Sequence, residues 1–115
     1  MKVMATTLLG LTLCAQVCAA INMQTIHGIH EGCELRPKTK EGSNDVSLAD
    51  WYNVGRTEGY ISGYQEATPG LHGPATVGEL HDAVCKYIDL HPEIWNLSRG
   101  DGLDIVLRTL YGEKK

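Results

Sequence analysis

The sequence predicts a small all-α, four-helix, bundle-like domain behind a cleaved signal peptide. Three Ser/Thr residues are each followed three positions later by an acid, apolar residues recur at helical spacing, and no convincing strand pattern intervenes. The 115 residues are 43% hydrophobic and 21% charged, which is globular usage and sets disorder and coiled coil aside. The length suits one domain.

Met1 to Ala20 reads as a secretory signal peptide. Lys2 is its one charge, Leu8, Leu9, Leu11, Leu13 and Val17 form a short apolar core, and Ala19 and Ala20 are small enough for cleavage. The run is shorter than the roughly 20 residues of a membrane-spanning helix and is broken by threonines and Gln16. Leu13 and Val17, preceding Cys14 and Cys18, are too large for a lipoprotein cleavage site. The expected mature domain is residues 21–115, exported, with no membrane contact after cleavage. It keeps Cys33 and Cys85 alone of the four cysteines. Two cysteines in an exported chain imply one disulfide, contributing up to about 4 kcal/mol in the chain-entropy picture. The net charge of −4 becomes −5 once Lys2 leaves, the wrong sign for holding nucleic-acid phosphates.

Asn22 is the expected cap of a first helix whose stripe is Ile26, Ile29, His30 and Cys33, although Gly28 and Gly32 weaken it. Arg36 to Asp45, polar with Pro and Gly, reads as an exposed loop. Ser47 with Asp50 opens a second helix running to about Ala67. Leu48, Trp51, Gly55, Gly59 and Gly63 share one face of it, and Val54, Tyr60, Ile61 and Tyr64 occupy others, so it is expected at the centre of the domain. Its glycines predict close packing against another helix of the chain; a dimer seam is the other reading.

Thr68 to Ala75, with two prolines and two glycines, is a loop. Thr76 with Glu79 opens the third helix, with Val77, Leu80, Val84 and Ile88 inward, Glu79, Asp82, Lys86 and Asp89 outward, and Cys85 at the edge. Cys33 and Cys85 thus both border apolar faces, as a bridge between the first and third helices requires. Pro92 interrupts the chain near the end of the third helix. Ser98 with Asp101 opens the last helix through Leu103, Val106, Leu107 and Leu110, ended by Gly112.

Little of this points to chemistry. His27, His30 and Cys33 have zinc-ligand types, but a residue six positions on is rotated off the shared face, and a bridged cysteine binds no metal. His81 falls on the apolar stripe of the third helix, where a hydrogen-bonded core histidine is expected, and His91 before Pro92 serves a turn. Ser47 and Ser98 are accounted for as caps, and the carboxylates are scattered over outward faces. There is no phosphate-binding or dinucleotide fingerprint. The expectation is a binding protein, not an enzyme, with no catalytic residue, metal or cofactor. The five tyrosines suit half-buried positions.

Two motifs carry a resemblance. Gly59-Tyr60-Ile61-Ser62-Gly63 lies on the second helix, and Gly78-Glu79-Leu80 leads into Lys86-Tyr87-Ile88-Asp89-Leu90-His91-Pro92-Glu93. With Val106-Leu107-Arg108-Thr109-Leu110 behind them, they resemble the Rap/Tai immunity proteins of Gram-negative bacteria, the resistance-associated and type VI amidase immunity group. The likeness runs from about Ser47 to Gly112. Thr57 and His72-Gly73-Pro74 stand where many members carry cysteines, and Cys85 stands where members carry an aliphatic residue. The family's bridges are therefore not carried over.

The resemblance implies a periplasmic helical protein, often a homodimer, that blocks a peptidoglycan amidase effector of type VI secretion by occupying its cleft. The alternatives are a small periplasmic chaperone or stress protein, or a ligand-binding module. The candidate effector-binding loop is Thr68, Pro69, Gly70, Leu71, His72, Gly73 and Pro74, running on to Ala75, with Leu71 and His72 at its centre.

Overall fold

The computed structural model describes residues 20–42 and 45–112. The expected signal peptide lies outside them except for Ala20. Among the described residues the chain forms α1 (Ile26–Lys40), α2 (Leu48–Ala67), α3 (Val77–Leu90), a 3-10 turn (Pro92–Ile94) and α4 (Arg99–Tyr111). The all-α expectation holds. The only strand-like pairings among these residues are isolated bridges, Thr25 with Ser98 and Leu71 with Gly112.

Met23, Ile26 and Ile29 meet Ile61 of α2, Leu80, Val84 and Ile88 of α3, and Leu103, Val106 and Leu107 of α4 in one buried cluster. The expected inward stripe of α3 is right except at its start, because Val77 on the first turn is 58% exposed. Leu110, one residue from the end of α4, is likewise 37% exposed. Helix ends project beyond the layer they pack on, so periodicity overstates burial there.

The start of α1 differs from expectation. Thr25 is the N-cap and its side chain makes no cap bond, while Asn22 Oδ1 accepts only from Gln24 N–H. The free N–H groups are met by backbone instead. Ile26 donates to the Leu97 carbonyl at 3.0 Å and His27 to that of Trp95 at 2.8 Å. Arg99 N–H returns a bond to the Gln24 carbonyl at 2.8 Å. A distant loop thus does what a capping side chain does elsewhere.

The end of α1 differs more. The helix continues to Lys40 through Pro37, over residues expected to be loop. Proline lacks an N–H, so the Cys33 carbonyl loses its helical partner. Arg36 is buried and donates to Asp82 of α3 at 2.9 Å, and Lys40 reaches the same oxygen at 2.9 Å. These long-range bonds hold a turn that local propensity disfavours.

At Ser47 the capping box is reciprocal, with Ser47 Oγ accepting from Asp50 N–H and the Asp50 carboxylate from Ser47 N–H. Thr76 and Ser98 cap in one direction only, accepting from Glu79 and Asp101 N–H.

The glycine expectation is inverted. Nothing lies within 4 Å of where a side chain would start at Gly55, Gly59 or Gly63, and all are exposed. Close helix contact occurs instead at Gly32, against the Thr57 hydroxyl, and at Gly102, against Ile26. The helix α2 thus packs against all three other helices, as a central helix would, but leaves its glycine face open. It buries Asn53, Val54, Thr57 and Ile61 and leaves Leu48, Trp51 and Tyr52 at 69%, 51% and 52% exposure.

Candidate binding surfaces and the α2–α3 seam

The loop between α2 and α3 is fastened to α4. Thr68 donates its hydroxyl to the Tyr64 carbonyl at 2.7 Å, Gly70 turns the chain with φ +82°, and His72 N–H donates to the Tyr111 carbonyl at 3.0 Å. The left-handed φ at Gly70 is one that L side chains avoid. Leu71 is half-buried and packs on the core, whereas Pro69, Gly70, His72 and Gly73 are exposed. Of the two central side chains, only that of His72 lies on the outer surface.

Tyr64, where the loop begins, donates to Asp104 at 2.9 Å, and Arg108 donates to the same oxygen at 2.9 Å. Burial, then the Asp104 carboxylate, pushes the Tyr64 phenol above its ordinary value. The Tyr64 bond, then Arg108, holds the Asp104 carboxyl low. At the loop's other fastening, burial followed by Glu79 raises the Tyr111 phenol.

The motif residues divide between packing and surface. Leu80 is core, and Gly59 and Gly63 are open surface. Tyr60 is half-buried beneath the Arg99 guanidinium, 3.8 Å from its ring centre. Its phenol is lowered, chiefly by the Arg56 hydrogen bond. Tyr87 stacks on His91 at 3.9 Å, and His91 Nδ1 stands 3.0 Å from Glu93. Pro92 starts the 3-10 turn and Lys86 is exposed. Trp95, just beyond, donates its indole N–H to the Ile88 carbonyl at 2.7 Å, closing the end of α3.

Cys33 and Cys85 stand within bonding distance, their Cα atoms 5.5 Å apart, joining α1 to α3. Of the metal-type trio, Cys33 is therefore taken up by Cys85, His30 lies 3.1 Å from Asp89 and stacks on Trp95, and His27 lies 3.4 Å from Glu31. The bridge lies in an open groove of about 540 Å³ between α1 and α3, with Arg36, Lys40, Asp82 and Lys86 on its walls. No pattern in the sequence pointed to this groove.

His81 is the hydrogen-bonded core histidine expected. Its partners were not foreseen. His81 Nδ1 lies 2.7 Å from Glu58 Oε2 and Nε2 lies 2.7 Å from Ser62 Oγ. Glu58 and Ser62 are one turn apart on α2, a spacing visible in the sequence, but only the α2–α3 register brings His81 between them.

No family model, curated protein or solved structure matches the chain.

Proposed function

We propose that this chain is an exported periplasmic immunity protein that binds and inhibits a type VI secretion peptidoglycan amidase. The loop Thr68–Ala75 supports the reading. It joins two capped helices, is bonded to the end of α4, and turns His72 outward. A projection fixed at several points loses little freedom on entering a cleft, so more of its contact energy appears as affinity. His72 replaces Leu71 as the central contact, because Leu71 is packed on the core.

A specific inhibitor interface covers about 1,600 Å² in total, more than one loop supplies, so neighbouring helix surface joins it. The exposed face of α2, with Leu48, Trp51, Tyr52 and open glycines, is the proposed seam of a homodimer. The acidic balance speeds encounter with a basic effector and makes it salt-sensitive.

The test expresses in the periplasm any peptidoglycan amidase encoded beside this gene, with the wild-type chain or with His72→Asp. Protection from lysis by the wild type and its loss with His72→Asp are expected. Lysis despite the folded wild-type chain overturns the inhibitor reading. Full protection by His72→Asp leaves immunity standing and moves the contact off the loop.

A further inference from the structure

The α2–α3 seam has a chemistry that inhibition does not use. We propose that Ser62 is an activated nucleophile, with His81 as its base and Glu58 positioning the base, reactive toward small activated carboxylic esters.

Geometry sets the roles. An ionised Glu58 only accepts hydrogen bonds, so the 2.7 Å contact requires the proton of neutral His81 on Nδ1. Nε2 is then the acceptor, and Ser62 donates its hydroxyl proton across 2.7 Å. Carboxylate, imidazole and hydroxyl thus stand in the order and at the separations of a nucleophilic relay. His81 is 2% exposed, so at rest its Nε2 meets Ser62, while Ser62 is half-buried and its open side is where an ester and then water enter.

Two surroundings favour a small acyl donor. Gly59 and Gly63, on the same helix, leave the surface on one flank of Ser62 without side chains. A cleft of about 160 Å³ lies a turn further along, between the end of α2, the loop and the start of α3; Gln65, Pro74, Val77 and Leu80 are on its walls and Ser62 is not. Gln65 is one turn beyond Ser62, and Leu80 directly precedes His81. That volume and those partly apolar walls suit a short acyl chain.

Ser62 Oγ attacks the ester carbonyl carbon as its proton passes to His81 Nε2. The carbon–oxygen bond to the leaving alcohol breaks, and that alcohol takes the proton from His81. Water, deprotonated in turn by His81, then cleaves the acyl–Ser62 ester, releasing a carboxylic acid and restoring the hydroxyl. The backbone N–H groups around Ser62 belong to the ladder of α2, and Gln65 turns its amide toward Gly73, so no oxyanion donor is preset beside Ser62 among the described residues. A missing donor costs about 100- to 1,000-fold in rate, which restricts the site to activated esters and excludes amides.

The experiment treats the folded, bridged protein with a fluorophosphonate, which phosphonylates activated serines, and locates the adduct by peptide mass spectrometry. p-Nitrophenyl acetate hydrolysis is followed in parallel. One adduct on Ser62 is expected, with none in Ser62→Ala. His81→Ala reacts about 100-fold more slowly and regains rate with added imidazole, which a purely structural histidine would not permit. Glu58→Asp keeps more of the rate than Glu58→Gln at equal melting temperature. An unlabelled native wild type, a label that persists in Ser62→Ala, or a folded His81→Ala reacting at the wild-type rate each overturns the proposal. The amidase reading is untouched by any of these results.

Discussion

The Arg36 guanidinium, near the end of α1, donates to the Asp82 carboxylate of α3 across 2.9 Å, and Lys40 donates to the same oxygen at the same distance. Arg36 is buried while the Asp82 side chain is 58% exposed. One acid therefore neutralises a buried cation and anchors the helical turn that follows Pro37.

Asp82→Asn should destabilise the fold by about 1–2 kcal/mol at neutral pH, less than a fully buried pair because solvent screens Asp82. The Lys40 hydrogen bond, then that of Arg36, holds the Asp82 carboxyl below its ordinary value. The contribution is thus complete above the unfolded-state value, about 3.9, and disappears as pH falls through the lower folded value. Melting curves of wild type and variant should be well separated at pH 7 and converge under acid conditions below about pH 4.

Non-reduced, unfolded periplasmic protein should resist thiol alkylation and begin at Ile21 by intact mass. Reduction should add two alkylation sites, at Cys33 and Cys85. Cys33→Ala should cost roughly 2–5 kcal/mol in chemical denaturation.

The two sets of glycines should respond oppositely to Ala. Gly55→Ala meets open space and should raise stability by about 0.5–1 kcal/mol through helix propensity. Gly32→Ala drives a methyl into the buried Thr57 hydroxyl and should cost about 1–3 kcal/mol. Thermal melts of the two variants check both signs.

Light scattering at micromolar concentration should give twice the monomer mass, and Trp51→Glu, on the exposed face of α2, should return the monomer. A monomeric wild type would remove α2 as a seam. Persistence of the dimer in Trp51→Glu would move the seam to another face.

The capped helix starts were legible because their information is local: Ser47 and Asp50 meet within one turn. The same locality explains the error at residues 36–45. Pro37 and neighbouring charges read as a break, while the partner that keeps Arg36 helical is 46 positions away. The glycines of α2 were misassigned because periodicity identifies a face without saying what faces it. Within the candidate site, the loop and its outward His72 were legible, but the inward turn of Leu71 depends on the end of α4. The spacing of Glu58 and Ser62 and the burial of His81 were each visible separately, and the tertiary register that joins them was not.

The backbone pairing at the start of α1 has a consequence for the order in which this chain acquires structure. Ile26 and Leu97 are bonded across 71 positions (97 − 26), and the first turn of α1 has no side-chain cap of its own. Helix nucleation is unfavourable without such help. During synthesis, α1 stays without its N-terminal partner until the segment before α4 has emerged. Distant closure of this kind slows folding, because the loop entropy is lost before the contact rewards it. On the export reading proposed above, the delay is useful: α1 stays unfolded, and threadable through a translocation pore, until the chain has been made as far as Leu97.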